Sequence, residues 1–345
     1  MISGKCSRKT ITRRDFLKKT GQAAALAGVG ALGLESILAG CATITFKEQA
    51  PVVYPPLRGH KVQPPENGCY IGFHGLSTDY YESKLGKRHK IFSPCFMQTS
   101  PDFVEEYVES ETAEAIPFVW RDITYDCDLY GFKNLVGNKW FKESLEEYAK
   151  AIFKYGKPIL VSTMYEMNST CIELRPWKGR WPGDVKKLWR YMWQIFEDNG
   201  ANEYATWVWT INPKENFPSA TLDPELFYPG DQYVDWIGMF VTNPESSNYT
   251  YNKSFHELSH YTYKRMRKKH PDKPMQITEI SKAHGNSQDE YLLDAYNTIK
   301  SWPGIKAVIY WNIVNMKTGD NNTLTKESEE ILKQIFKDPY FIGAY

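Results

Sequence analysis

The stretch Glu143-Ser-Leu-Glu-Glu-Tyr-Ala-Lys-Ala-Ile-Phe-Lys154, followed by Gly156-Lys-Pro-Ile-Leu-Val-Ser-Thr-Met-Tyr-Glu166, contains one full structural repeat of this chain. Leu145, Tyr148, Ala149, Ile152 and Phe153 fall on one face at helical spacing, so the first part reads as an amphipathic helix. Gly156-Lys157-Pro158 supplies a turn, and the short apolar run from Pro158 to Met164 reads as a buried strand. Helix, turn and strand together make one unit of an alternating α/β fold.

Working outward, eight such runs recur: 69–73, 91–96, 116–120, 158–164, 205–211, 234–240, 274–278 and 305–311. Amphipathic helices are expected between them at 143–154, 185–198, 255–269, 290–300 and 326–336. Strand and helix alternating to a count of eight predict a single (β/α)8 barrel of the TIM type. A doubly wound sheet is the alternative, but no glycine-rich phosphate loop follows the first strand.

The barrel is expected to occupy residues 67–345, behind a signal and a tether. Thr12-Arg13-Arg14-Asp15-Phe16-Leu17-Lys18 has the form of a twin-arginine export signal, and the uncharged run from Gly21 to Leu34 that of its hydrophobic region. Leu38-Ala39-Gly40-Cys41 closes a signal of residues 1–40 and resembles a bacterial lipobox. Lipidation at Cys41 would anchor the exported chain to a membrane on its periplasmic face or at the cell surface; a signal anchor or an ordinary cleavage site are the other readings. Residues 41–66, rich in proline toward their end, then read as an extended tether.

The formal net charge is +1, and basic residues are scattered, which gives no sign of a nucleic-acid partner. Nothing in the sequence calls for self-association, so a monomer is expected. Aromatics reach 15%, with 11 Trp and 23 Tyr. Flat pyranose faces stack on aromatic rings, so this content suits a sugar cleft as well as a core. Cys127 and Cys171 follow strands in successive repeats and could bridge in an oxidising compartment, or remain as buried thiols. No cysteine pair has the spacing of a zinc or redox motif.

Two glutamates stand at or just past the ends of apolar runs, Glu166 after the fourth and Glu279 in Lys273-Pro-Met-Gln-Ile-Thr-Glu279 after the seventh. Strand ends of such a barrel meet at one mouth, where active sites lie. Cleaving an acetal needs one carboxyl group protonated for the leaving oxygen and another ionised to meet the oxocarbenium-like centre. A strand-end acid can also be a cap or an arginine partner, but two of them amid aromatics point to glycosidic chemistry. No cofactor is required for it.

The ordered set Gly68-Cys-Tyr-Ile-Gly72, Glu166-Met-Asn168 with Pro176-Trp177, Trp207-Val-Trp209-Thr-Ile-Asn212, Tyr228-Pro-Gly-Asp231 with Val234-Asp-Trp-Ile-Gly238, and Lys273 to Glu279 resembles family 26 glycoside hydrolases, which include β-mannanases. The resemblance implies a (β/α)8 barrel, a β-linked polysaccharide of β-mannan or β-glucan type as partner, and retaining hydrolysis. It makes Glu166 the general acid/base and Glu279 the nucleophile. The chain departs from the family pattern at three positions. Tyr165 stands where a histidine usually precedes the acid/base, Ser162 where an arginine usually stands, and Thr242 where a tyrosine commonly precedes Asn243. These departures leave a non-catalytic polysaccharide-binding barrel in a surface or exopolysaccharide assembly as the competing function.

Further substrate contacts are expected from residues near strand ends. Asn168 would point with Glu166 if the strand stayed extended, or else cap the following loop. Tyr165 and His74 would reach the mouth, and Trp177, Trp209 and Trp311 would offer stacking faces. Arg121-Asp122 is either a substrate contact or a local ion pair. His256, His260 and His270 share a helix; the i, i+4 spacing of the first two suits a metal, but no acidic ligand motif accompanies them, and an exposed face is expected.

Overall fold

A computed structural model describes residues 51–75, 78–94, 115–121, 123–170, 180–216, 218, 221–243, 253–283, 288–314 and 321–344. The export signal, Cys41, Asp122, Cys171 and Trp177 lie outside the described residues, and with them the lipidation, the Cys127–Cys171 bridge and one stacking platform. Residues from Glu48 onward form one compact unit.

Eight parallel strands form the barrel: β1 (Cys69–Gly75), β2 (Ile91–Pro94), β3 (Ile116–Trp120), β4 (Ile159–Ser162), β5 (Ala205–Ile211), β6 (Trp236–Asn243), β7 (Met275–Lys282) and β8 (Ile305–Trp311). Each pairs with its sequence neighbour, and β1 pairs with both β2 and β8, so the sheet closes on itself. A short β9 (Phe341–Ile342), not foreseen from the sequence, adds to β1 at the opposite end from the mouth. The helices are α1 (Thr78–Leu85), α2 (Thr124–Tyr130), α3 (Lys139–Tyr155), α4 (Pro182–Asp198), α5 (Phe255–Lys269), α6 (Gln288–Ser301) and α7 (Lys326–Ile335). Between β5 and β6 two 3-10 turns, Pro224–Phe227 and Asp231–Tyr233, stand in place of a helix.

The period of two along each strand sorts the core into two layers. Inside the barrel lie Ile91, Phe118, Trp120, Leu160, Val208, Trp236, Ala307 and Ile309. Between strands and helices lies the larger layer, which includes Phe73, Val161, Trp207, Trp209, Ile237, Ile277 and Tyr310. Interior glycine makes room for these large side chains: a Cβ on Gly238 would sit 2.4 Å from Thr278 Cγ2 and 2.9 Å from Thr210 Oγ1.

The segment expected to be a free tether up to residue 66 is packed beneath the barrel over its final part. Val62 is buried in the interior layer, its N–H donating to Thr206 Oγ1 (2.8 Å) and its carbonyl accepting from Trp236 Nε1 (3.1 Å). Lys61 pairs with Asp235, Lys306 Nζ donates to the Glu66 carbonyl, and Tyr54 donates to the Gly304 carbonyl. An open barrel bottom would leave Trp236 and Thr206 facing water, and this segment covers them.

Candidate active site

Both glutamates lie at the C-terminal mouth, each placed by a local departure from regular strand geometry. After Ser162 the chain leaves β4 and turns, so residues 163–168 are not extended. Glu166 occupies the left-handed region, φ 50°, the one described non-glycine residue with positive φ. Its carbonyl accepts from the Ser169 N–H at 2.9 Å, which closes the turn. Left-handed backbone costs a β-carbon-bearing residue about 1 kcal/mol or more and collects at functional sites.

Glu279 does not end its strand; β7 continues three residues further, to Lys282. The register with β6 shifts beside it, so that Phe240 pairs with Glu279 after Met239 has paired with Ile277. Thr278 and Glu279 thus fill the space between two helix-facing residues, Ile277 and Ile280. A bulge of this kind re-aims a side chain next to a site. Both glutamates are buried, each residue 8% exposed.

Aromatic and polar groups connect the two. Tyr165 meets Trp120 edge-on, ring centroids 5.0 Å apart. Trp120 Nε1 donates to Ser93 Oγ (3.1 Å), and Ser93 Oγ is hydrogen-bonded to His74 Nδ1 (2.8 Å). His74 pairs in register with Trp311, whose ring lies 6.4 Å from that of Phe240, the strand partner of Glu279. Burial pushes the His74 pKa down to about 4, so the ring is neutral at ordinary pH. Tyr165 follows β4, His74 lies within the end of β1 rather than after it, and Trp311 ends β8, so all three belong to the C-terminal ends of strands. Trp120, Ser93 and Phe240 were missed, although parity with inward-facing Phe118 points to Trp120.

Two expected substrate contacts are corrected. Asn168 is fully buried, and its amide is spent on backbone: Nδ2 donates to the carbonyls of Asn212 (3.0 Å) and Leu222 (3.1 Å), and Oδ1 accepts from the Asn212 N–H (2.9 Å). Because the chain turns here, the rule that residues two apart share a face does not apply. Trp209 is also fully buried and points outward from β5, its Nε1 toward Met167 Sδ and its ring against Tyr228 (5.0 Å). On β5 the inward positions are Thr206, Val208 and Thr210, so both flanking tryptophans must face the helices.

Arg121 resolves as a local ion pair rather than a mouth residue. It is buried, 3.3 Å from Asp126, and donates to Ser144 Oγ at 3.0 Å. Ser162, in the place of the family's arginine, is bonded to the Val208 carbonyl and Thr210 Oγ1. The exposed face expected of the three histidines is half-buried instead: the rings of His256 and His260 lie tilted against each other (4.3 Å) and against Trp302, and His270 lies against Tyr228 and Glu225. Among the described residues no cluster of three or more His, Cys, Asp or Glu is placed to hold a metal.

The sequence profile of glycosyl hydrolase family 26 matches residues 140–344, more than half of the chain and the part that carries both glutamates. The chain belongs to glycosyl hydrolase family 26. The family 26 barrel is similar in fold to a β-mannanase of Bacteroides ovatus, at 15% identity and a TM-score of 0.60 over 81% of this chain and 91% of that one. It is likewise similar to a modular endo-β-1,4-mannanase of Cellulomonas fimi, at 14% identity and a TM-score of 0.61, covering 80% and 72% of the two chains. A β-1,3-xylanase of a Vibrio species is 23% identical over 114 residues, which are 33% of this chain and 23% of that protein. The aligned stretch thus spans under a quarter of that relative's length.

Proposed function

We propose that this family 26 chain is a retaining glycoside hydrolase acting on β-linked polysaccharide. The observation that carries the reading is the presence of two buried glutamates at the C-terminal ends of barrel strands, one on a left-handed turn and the other beside a bulge, with aromatic residues around them. Glu279 attacks the anomeric carbon and forms a glycosyl–enzyme ester while Glu166 gives its proton to the departing oxygen. Glu166 then takes a proton from the water that displaces Glu279 and releases the sugar. Neutral His74 and Tyr165 offer polar edges to sugar hydroxyls, and Trp311 offers a face. The similar proteins include β-mannanases and β-1,3-xylanases, whose substrates are β-linked polymers, which supports that linkage class here. Export by the twin-arginine route and anchoring through lipidated Cys41 belong to the same proposal.

The test is turnover of β-mannan, β-glucan and β-xylan by the soluble barrel, with an activated aryl glycoside for the separate steps. Glu166→Ala should glycosylate rapidly but release slowly, and azide should restore turnover with a β-glycosyl azide product. Glu279→Ala should abolish the reaction, any azide rescue giving the opposite anomer. Reversed anomers would exchange the two roles, and binding of a polymer with no cleavage would make the barrel a lectin-like module. A retaining mechanism also requires the two carboxyl groups to lie about 5–5.5 Å apart, which a crystal structure measures directly.

A further inference from the structure

Three residues at the C-terminal ends of β1, β2 and β3 are joined by hydrogen bonds across the barrel interior. His74 and Ser93 are partners in strand register, and Ser93 Oγ lies 2.8 Å from His74 Nδ1 and 3.1 Å from Trp120 Nε1. All three are buried: His74 is 8%, Ser93 1% and Trp120 5% exposed. Strand parity sets their direction. Ile71 and Phe73 face the helices, so His74 faces inward, and Ile91 and Phe118 in the interior layer put Ser93 and Trp120 on the same side. Ring contacts hold the Trp120 indole in place, with Phe118 at 4.7 Å and Tyr165 at 5.0 Å between centroids.

Counting protons along this chain fixes where each one sits. An indole nitrogen only donates, so the Ser93 oxygen accepts from Trp120. The Ser93 hydroxyl then has its own proton to place, and among the described residues its one other side-chain partner is His74 Nδ1. A hydroxyl this deeply buried is costly to leave without an acceptor, so its proton goes to Nδ1, which must be bare. Burial lowers the His74 pKa to about 4, so at ordinary pH the ring carries a single proton. With Nδ1 bare, that proton is on Nε2. Nε2 has no hydrogen-bond partner among the described residues, and it is not sealed off as both ring nitrogens of His89 are.

We propose that Trp120 and Ser93 lock His74 in the Nε2–H tautomer, so that His74 is a fixed hydrogen-bond donor to a sugar oxygen in the mouth and Ser93 is a positioning residue that acts through it. The lock limits what His74 can do. Its one ring lone pair is taken by Ser93, so it serves neither as a base nor as a metal ligand, and it meets only acceptors. The two glutamates of the mouth accept when ionised, and a donor supplies what they lack. A sugar hydroxyl can satisfy Nε2–H, whereas a deoxy sugar would leave it unpaired, which a site built to hydrogen-bond rejects. The sugar contact rests on the hydrolase reading above; the tautomer does not.

The test is nitrogen NMR of the protein isotope-labelled at histidine, with His74→Met identifying the signals of residue 74. His74 should show a bare Nδ1 and a protonated Nε2 from about pH 8 down to about pH 5. A protonated Nδ1 in that range overturns the lock. Ser93→Ala should displace the Nδ1 signal and lower kcat/KM for polymer about tenfold, and Ser93→Thr, which keeps the hydroxyl, should restore part of both. His74→Met should lower kcat/KM about tenfold further than His74→Gln, whose amide N–H can stand near the place of Nε2–H. Equal losses in those two variants overturn the donor role, and so does a Ser93→Ala enzyme with the signal and the kcat/KM of the parent. A bare Nδ1 in a protein that cleaves none of β-mannan, β-glucan and β-xylan overturns the hydrolase reading and the sugar contact with it, but not the tautomer. A protonated Nδ1 in an active enzyme overturns the lock and leaves the hydrolase reading intact.

Discussion

At the scale of single residues, the left-handed turn at Glu166 separates what the fold wants from what the chemistry wants. Glutamate is poorly suited to φ 50°, whereas asparagine tolerates this region. Glu166→Asn should therefore raise the thermal midpoint by about 1–3 °C, read by calorimetry, while abolishing turnover of unactivated polymer. A lower midpoint would mean that contacts of the Glu166 carboxylate outweigh its backbone cost. The same scale explains why Tyr165 and Glu166 differ in environment though adjacent. Tyr165 leans on Trp120, which belongs to the inward layer, whereas the turn re-aims Glu166 on its own.

At the scale of elements, the site depends on how the β4 turn is fastened to the segment after β5. Asn168 makes all three of its bonds to residues 212 and 222, and the Leu222 N–H donates back to the Asn168 carbonyl at 2.8 Å. That segment is fastened in turn to α5, where Glu215 accepts from Thr262 and Asp223 pairs with Arg265. Asn168→Ala strands an N–H and two carbonyls and should cost about 2–4 kcal/mol in urea unfolding. Asn168→Asp should cost at least as much, since a carboxylate would face the same two carbonyls. Because Glu166 is two residues away, kcat of Asn168→Ala should fall further than KM rises. The bounds of β3, β5 and β8 were legible in sequence because each is a clean apolar run between turn residues. The far end of β7 was not, because Ser281 and Lys282 are polar yet buried in the strand, and the bulge at Glu279 breaks the alternation that would have extended it. The mouth partners of Trp120 were hidden for another reason. Ser93 and His74 meet only through the closure of β1 on β2, a contact between residues that no local pattern marks.

At the scale of the whole molecule, closing the barrel buries two histidines on neighbouring strands' ends, and this sets how the fold responds to acid. His74 faces the mouth, while His89 is fully buried between Phe73 (5.8 Å) and Phe92 (5.9 Å). Burial lowers the His74 pKa to about 4, and burial aided by the Arg88 charge lowers that of His89 to about 3, from an ordinary 6.5. Between pH 6.5 and those values the unfolded chain binds protons that the folded chain does not, so stability falls as pH falls. Each histidine contributes a slope of up to about 1.4 kcal/mol per pH unit, flat above pH 6.5 and ending once the folded ring also protonates. The surface carboxylates of Glu197, Asp223 and Asp338, held low by their basic partners, act in a lower window, near and below pH 4. The interval from pH 6.5 to 5 therefore belongs chiefly to the histidines, His260 adding to His74 and His89 because burial holds it low as well, while Asp294, whose carboxyl pKa burial pushes up, opposes them. Urea unfolding across it should show a steep loss of stability in the parent, and His89→Phe, which fits an aromatic pocket and does not titrate, should reduce the slope by up to about 1.4 kcal/mol per pH unit. A slope unaltered by that substitution would mean that His89 is protonated in the folded state, and so that the ring is hydrated where the fold places it among phenylalanines.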